Sequence, residues 1–186
     1  MLDKDIGFRP YITNCKVNTQ YALSMLCNIT SQYVEEKAVV GILRPYSHRH
    51  GYGPLLTEIK DVPWTKDEHN IDNQWQKEFR YGWFDCQLTK YAVEKSAVQS
   101  VALTNFDRMD SRFKVCENYY VGGNQLKDLT CFVSSNDIHD RLKIVSPIKK
   151  YKEIEKENFP EYFEEVFGVP ISIISNGVTA KDKHWR

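Results

Sequence analysis

The spacing of hydrophobic residues along the chain predicts helices in several segments. From 18 to 31 the apolar residues recur at steps of three and four, which is typical of an amphipathic helix capped by Asn18 or Thr19. A second helix is predicted from 86 to about 97, with Asp85 as its N-cap. The first helix is expected to bury one apolar face in the core. That face consists of Ala22, Met25, Leu26 and Ile29.

Two further helices are predicted towards the end of the sequence. Ser146-Pro147 fits a helix start, because proline is favoured at the first helical position. The alternating charges of 149–157 indicate a solvent-exposed helix face. A short helix is expected from Pro160 to Gly168.

Short apolar or alternating runs between the helices predict strands. These runs are 37–43, 55–62, 79–84, 98–104, 112–121, 129–133, 142–145 and 171–174. Glycine, proline and polar residues predict a loop or a wide hairpin turn at 44–53, a loop at 63–76, and turns at 122–124 and 176–177.

The order of these elements predicts the fold class. Because the runs between 98 and 145 follow one another through short polar connections, we expect consecutive antiparallel strands there. The chain is therefore predicted to be α+β, with an antiparallel sheet of roughly five to seven strands and about three or four helices packed on it. One globular domain is expected over 1–186, with a short frayed tail from about 178.

Charge and cysteine content narrow the class of protein. Lys and Arg number 25, as do Asp and Glu, and this balance argues against a protein that binds nucleic acid through phosphates. No run is apolar enough for a transmembrane helix, and 1–14 lacks the apolar core of a signal peptide. The five cysteines are odd in number and widely spaced, which predicts free thiols and a cytoplasmic location. No cofactor or metal is predicted, because the Cys and His residues do not have the spacing of zinc ligands.

Cys86 is predicted to stand where a strand ends and a helix begins, and the helix dipole there favours the reactive thiolate. The triplet Phe84-Asp85-Cys86, followed by Tyr91-Ala92, resembles the nucleophile segment of NlpC-type cysteine peptidases. The segment 128–132 followed by His139 is similar to the strand and base histidine of that family. The resemblance implies a papain-like hydrolase or transferase with Cys86 as nucleophile and His139 as base. Alternatively, Cys86 is a buried, inert thiol.

The segment His48-Arg49-His50-Gly51-Tyr52-Gly53 places two imidazoles and a guanidinium beside two glycines. Backbone amides in such a loop can bind an anion. The loop resembles the pyrophosphate loop of GNAT acetyltransferases, which implies acetyl-CoA binding. A metal site is another interpretation, with His48 and His50 as ligands and a third from Glu58, Asp61, His69 or Cys86. The simplest interpretation is a solvated turn with basic side chains.

Glu58-Ile59-Lys60 is similar to one half of the E-x-K motif of metal-dependent nucleases, in which both side chains share one face of a strand. The other half of that motif is an aspartate on a preceding strand. The run 37–43 contains no aspartate. We therefore do not predict a nuclease.

No catalytic motif is complete, whereas aromatic residues are plentiful, with 11 Tyr, 9 Phe and 4 Trp. Tyrosine and tryptophan suit protein recognition. We therefore predict a non-enzymatic protein-binding module, such as an inhibitor, adaptor or immunity-type protein. Its binding surface would comprise the long polar loops and His48, Arg49, His50, Tyr52, Trp64 and Trp75. Another protein is the expected partner, with no strong case for nucleic acid, no membrane contact and an open oligomeric state. The alternative function is the thiol hydrolase described above.

Overall fold

The computed structural model of the chain describes residues 3–7, 9–33, 38–126, 129 and 147–186. Three α-helices lie in these residues: α1 (Thr19–Thr30), α2 (Cys86–Ser96) and α3 (Phe159–Phe167). Both predicted N-caps are confirmed, because Asn18 accepts a hydrogen bond from the amide of Tyr21 and Asp85 accepts one from the amide of Leu88. α3 ends at Gly168, whose φ of 66° favours glycine.

The same residues contain ten strands. These are β1 (Val40–Leu43), β2 (Tyr46–His50), β3 (Glu58–Ile59), β4 (Phe79–Asp85), β5 (Ser100–Leu103), β6 (Arg112–Val121), β7 (Asn124–Leu126), β8 (Ile148–Glu155), β9 (Ile171–Ser175) and β10 (Lys183–Trp185). Short 3-10 turns lie at Phe106–Arg108, Lys156–Asn158 and Ala180–Asp182.

The first sheet has the strand order β1-β5-β9-β10. β1, β5 and β9 are parallel, with Val40 opposite Ser100 and Val101 opposite Ile171. β10 pairs antiparallel with β9. α2 precedes β5 and α3 precedes β9, so helices occupy the crossovers that parallel strands require.

The second sheet is six-stranded, with β2, β4, β6 and β7 in order, β3 beside β4 and β8 beside β6. Most of its pairs are antiparallel, but Phe84 and Asp85 at the end of β4 pair in parallel with β6. The longest pairing joins β6 to β8, from Arg112 opposite Glu155 to Tyr120 opposite Ile148. β4 therefore connects a β2–β3–β4 unit to a β6–β7–β8 unit.

The prediction of one antiparallel sheet with helices packed on it is wrong. The strands lie in two mixed sheets, and β5 and β6, expected to be antiparallel neighbours, lie in different sheets. The physical reason is that β1, β5 and β9 are short, largely apolar runs, each with a helix earlier in the chain. Such runs are typical of parallel strands that pair across helical connections rather than with the next strand.

Two local predictions are also wrong. The charged segment 149–157 is mostly the strand β8, because its backbone pairs with β6 while its charged side chains stay outside. The predicted loop 44–53 contains β2, which pairs with β4. The predicted strand 142–145 and most of 129–133 lie outside the described residues.

The main core joins both sheets to α3. Its centre is aromatic: the ring of Phe84 lies edge-on to Phe159 at 5.1 Å, and Phe163 lies 4.6 Å from Phe167 between ring centroids. α1 does not contribute, since none of its residues is buried. The prediction that α1 buries its apolar face in the core is therefore wrong.

Candidate functional site

A cavity lies where the chain passes between the two sheets. The chain leaves the first sheet between β1 and β2, and it returns through α2 to β5. The cavity between these connections has a volume of about 560 Å³. Much of its wall is apolar, and its chargeable residues lie on β2 and at the ends of β1 and β4. The apolar wall includes Leu43, Leu88, Ala92, Val93, Val101 and Phe163, and the chargeable residues are Arg44, His48, Arg49 and Asp85.

Arg44 follows β1 directly and has a hydrogen-bond donor with no acceptor. Its Nη1 is buried and lacks a hydrogen-bond partner in the part of the chain that the structure describes. The guanidinium lies 5.9 Å from the ring centroid of Tyr46, whose hydroxyl accepts a hydrogen bond from Asn105 at 3.2 Å. A buried guanidinium nitrogen without a protein acceptor is suited to an anionic oxygen from a ligand.

His48 lies on β2 and is one of the residues that line the cavity. The ring stacks on Phe79 at 5.4 Å and meets Tyr46 edge-on at 6.0 Å. Although part of the residue is solvent-exposed, the surrounding protein and the charge of Arg44 lower the pKa of His48 to about 4. His48 is therefore neutral near pH 7 and can both donate and accept a hydrogen bond.

Asp85 closes the cavity at the start of α2. Its carboxylate accepts hydrogen bonds from the Leu88 amide at 3.1 Å and from the Tyr119 hydroxyl. Burial raises the pKa of Asp85 to about 6, although both hydrogen bonds oppose that increase. Its two oxygens are already used to cap α2 and to bind β6, so Asp85 supports the cavity wall.

The basic residue at the centre of the His48–Gly53 segment has a structural role. Arg49 lies on the opposite face of β2 from the two histidines and is buried. Its guanidinium donates to the carbonyls of Tyr52 and Tyr11, each at 2.8 Å. Gly53 packs directly on that guanidinium, with no room for a Cβ. The segment is therefore a strand and turn held by Arg49, and the implied pyrophosphate loop does not form.

Arg80 fixes the same turn from the neighbouring strand. It donates to the carbonyls of Gly51 at 2.8 Å and Gly53 at 2.9 Å, and it forms an ion pair with Glu58. Hydrogen bonding to Arg80 lowers the pKa of Glu58. The carboxylate singled out for the nuclease-like motif is therefore occupied by an arginine of the chain.

Cys86 begins α2, as predicted, but it is buried and unsuited to nucleophilic chemistry. Its Sγ lies 3.5 Å from the hydroxyl of Tyr162. Burial raises the pKa of the Cys86 thiol to about 12, so the thiolate is disfavoured at neutral pH. His139, the base that the resemblance implied, lies outside the described residues.

The other predicted binding residues do not share one surface. Trp64 is buried and stacks on Tyr46 at 5.4 Å, whereas Tyr52 and Trp75 are 78% and 84% exposed. His50 lies on the same face of β2 as His48, and its Nε2 is 3.0 Å from Oδ1 of Asn70. Within the described ranges, no three His, Cys, Asp or Glu side chains are grouped so that they could hold a metal ion.

Sequence reasoning missed Arg44, although a signal was present. Arg44 immediately follows the apolar run of β1, and the carboxyl ends of parallel strands are where open α/β sheets bind ligands. Recognising that run as a parallel strand would have directed attention to Arg44 and to Asn105, which lies just beyond β5.

Comparison with known proteins identifies the family. A sequence model of adenylosuccinate synthetase matches residues 1–184. The chain is 28% identical over 190 residues to adenylosuccinate synthetase of Thermotoga maritima, covering 98% of this chain and 45% of the relative. It is 26% identical over 200 residues to that of Aquifex aeolicus, covering 100% of this chain and 46% of the relative.

Solved structures show the same fold. The fully ligated adenylosuccinate synthetase of Plasmodium falciparum superposes with a TM-score of 0.77 at 19% identity, covering 100% of this chain and 47% of that one. The succinoaminodeoxyadenylate synthetase of cyanophage S-2L, bound to dGMP and dATP, superposes with a TM-score of 0.52 at 14% identity. The match covers 99% of this chain and 43% of that one.

The fold is one of mixed parallel and antiparallel sheets, like that of the solved synthetases. The chain belongs to the adenylosuccinate synthetase family. It spans about half the length of the curated relatives it matches.

Family membership corrects the functional predictions. The non-enzymatic binding module, whether inhibitor, adaptor or immunity-type protein, is wrong, and so is the cysteine hydrolase. The expectation of a protein partner is wrong as well, because the family is one of synthetases rather than of protein-binding modules. Throughout the described residues, the helices are too short or too polar to cross a membrane.

Proposed function

We propose that this chain is the nucleotide-binding part of an adenylosuccinate synthetase, and that the cavity beside β1 holds the nucleotide with its phosphate at Arg44. The observation that carries the proposal is the buried Nη1 of Arg44, which has no acceptor in the described protein. Phosphate oxygens form strong, charge-assisted hydrogen bonds with guanidinium groups.

The rest of the cavity suits the rest of a nucleotide. Its volume of about 560 Å³ lies within the range typical of small-molecule sites. Leu88, Ala92 and Val93 of α2 offer apolar surface to a base or sugar. His48 adds a neutral donor and acceptor at the polar end.

The homologues support the choice of ligand. They act on nucleotide and aspartate substrates, and the cyanophage relative is bound to dGMP and dATP. The chain is proposed to contribute nucleotide binding to the synthesis of adenylosuccinate, a reaction that the family's complete fold would carry out. A cytoplasmic location belongs to the same proposal, because the free thiols of Cys15, Cys27, Cys86 and Cys116 suit a reducing compartment.

Isothermal titration calorimetry with dGMP, dATP, adenylosuccinate, aspartate and unphosphorylated deoxyadenosine tests the proposal. We expect the phosphorylated ligands to bind more tightly than deoxyadenosine. Arg44→Ala should weaken nucleotide binding by roughly 10- to 100-fold, which corresponds to a charged hydrogen bond.

Arg112→Ala is the matched control, since Arg112 is an exposed arginine on β6 that pairs with Glu155. It should leave binding unchanged. Equal affinity of the Arg44 variant and the wild type would contradict the phosphate assignment. Selective binding of aspartate would assign Arg44 to a carboxylate instead.

A further inference from the structure

Arg44 lies on the short connection that takes the chain from the first sheet to the second. β1 ends at Leu43, and β2 begins at Tyr46. Pro45, the other residue of the connection, is fully buried, and a proline keeps the residue before it in an extended conformation. The backbone of Arg44 is therefore restricted, and the direction of its side chain depends on what holds Leu43 and Tyr46.

Thr104 holds the residue before Arg44. Its backbone amide and its hydroxyl both donate to the carbonyl of Leu43, at 2.7 Å and 3.0 Å. The amide bond continues the parallel pairing of β1 with β5, whereas the hydroxyl bond is an additional one made by the side chain. A carbonyl oxygen has two lone pairs, so it can accept both donors. The end of β1 is therefore anchored directly before Arg44.

Asn105 holds the residue two positions after Arg44. Its side-chain amide donates to the hydroxyl of Tyr46 at 3.2 Å. Asn105 has a φ of 58°, in the left-handed region that asparagine adopts more readily than most other residues. Since Asn105 follows β5 and Tyr46 begins β2, this hydrogen bond joins the end of the first sheet to the second sheet.

The guanidinium of Arg44 packs on the ring that Asn105 holds. Its Cζ lies 5.9 Å from the centroid of the Tyr46 ring, a distance typical of a cation–π contact. The Tyr46 ring is 3% exposed and also stacks on Trp64 at 5.4 Å, so it offers the guanidinium a fixed surface. A side chain that is ordered before its ligand arrives loses little conformational freedom on binding.

We propose that Thr104 and Asn105 are positioning residues for Arg44. They fix Leu43 and Tyr46 on either side of it and so hold the guanidinium ready for the phosphate of the nucleotide. Neither Thr104 nor Asn105 lines the cavity, so their effect on binding passes through Arg44. This inference rests on the proposed function, and it adds two residues that do not touch the ligand.

The order of the Arg44 side chain can be measured without ligand. The heteronuclear NOE at each arginine Nε reports motion on the picosecond to nanosecond timescale. Thr104→Val and Asn105→Gly each remove one side-chain donor, and glycine keeps the left-handed backbone accessible at position 105. We expect both variants to lower the NOE at Arg44. Arg49, whose Nε donates to the Tyr52 carbonyl at 2.8 Å, is the internal reference and should not change.

Calorimetry with dGMP and deoxyguanosine measures the consequence for binding. Each variant should weaken dGMP binding about three- to tenfold, because the guanidinium then loses its freedom only when the ligand binds. Deoxyguanosine, which has no phosphate, should bind the variants and the wild type equally. In an Arg44→Ala background, Thr104→Val and Asn105→Gly should cause no further loss, since both act through Arg44.

Two threonine variants serve as controls. Thr104→Ser keeps the hydroxyl donor and should retain both the NOE at Arg44 and the affinity for dGMP. Thr57→Val removes a comparable bond elsewhere, since the Thr57 hydroxyl donates to the Trp83 carbonyl at 2.7 Å. It should lower the stability to urea while leaving the NOE at Arg44 and the dGMP affinity unchanged.

An unchanged NOE at Arg44 in both donor-removing variants would overturn the inference. Equal loss of affinity for dGMP and deoxyguanosine would also overturn it, as would a loss that persists in the Arg44→Ala background, because the variants would then disturb the cavity as a whole. A lower NOE at Arg44 with unchanged dGMP affinity would support the positioning role and contradict the phosphate assignment, so the two proposals can fail separately.

Discussion

The hydroxyl of Tyr119 donates a hydrogen bond to Oδ2 of Asp85 inside the protein, where the two residues are 0% and 1% exposed. Asp85 also caps α2 through the amide of Leu88. One carboxylate therefore connects the end of β4, the start of α2 and the second half of β6, next to the cavity.

Tyr119→Phe is expected to lower the free energy of unfolding by roughly 1–3 kcal/mol, because it leaves a buried carboxylate oxygen without its donor. Urea denaturation at pH 7 measures the change. Tyr120→Phe, on the same strand but only partly buried, is the control and should have a smaller effect. Equal stability of the two variants would contradict the importance of the Tyr119–Asp85 hydrogen bond.

Asp85 and His48 should make stability depend on pH in opposite directions. Burial raises the pKa of Asp85 from 3.8 to about 6, so the folded protein binds this proton more readily than the unfolded chain does. The Asp85 contribution is therefore largest below pH 4, and it falls by an amount on the order of 3 kcal/mol as the pH rises to 6. The pKa of His48 is lowered from 6.5 to about 4, so protonating His48 destabilises the folded protein as the pH falls through that window.

The two effects oppose each other in the wild type, and variants should separate them. Asp85→Asn keeps a capping side chain but cannot ionise, so the stability of this variant should rise between pH 4 and 6. His48→Gln should show the reverse, with stability falling over that range. Urea midpoints at half-unit pH steps measure both profiles. Asp182→Asn, at an exposed cap, is a control that should retain the wild-type profile between pH 4 and 6.

The thiols should differ in reactivity according to burial. Cys15 is exposed and Cys27 partly exposed, whereas Cys86 and Cys116 are buried, and burial raises the pKa of both buried thiols. Iodoacetamide at neutral pH is expected to label Cys15 and Cys27 first, and Cys86 and Cys116 only after denaturation. Peptide mass spectrometry over time gives the order. Rapid native labelling of Cys86 would show that it is more accessible than the structure indicates.

Local sequence signals predicted most of the helices and strands in the described residues. Asn18, Asp85 and Gly168 mark helix ends through side-chain caps or a left-handed φ, and those effects act within a few residues. β6 and the turn at Gly122 were predicted for the same reason. The arrangement of strands could not be predicted in this way, because the partners of β1 and β5 are selected by contacts between distant segments.

The candidate site was predicted only in part. His48 and Arg49 were chosen as candidate binding residues because of their residue types, but the role of each depends on which face of β2 it occupies. The segment that forms β2 had itself been predicted as a loop or a hairpin turn. Arg44 was missed because its significance comes from a parallel strand and an unpaired donor, which only the folded chain reveals. Cys86 was placed correctly at a helix start, but it is buried in a core built from distant segments, including Tyr162 on α3.

The strand order of the first sheet has a consequence for the sequence of folding events. β6 and β7 meet through a tight turn, with Val121 opposite Asn124, so this hairpin can close early. β1 and β9 must reach β5 from positions roughly 60 and 70 residues away in the chain, and closing such long loops is slow. We therefore expect the β6–β7 hairpin to gain protection first in a pulse-labelling refolding experiment. The first sheet, and with it the wall of the cavity that carries Arg44, should be completed last.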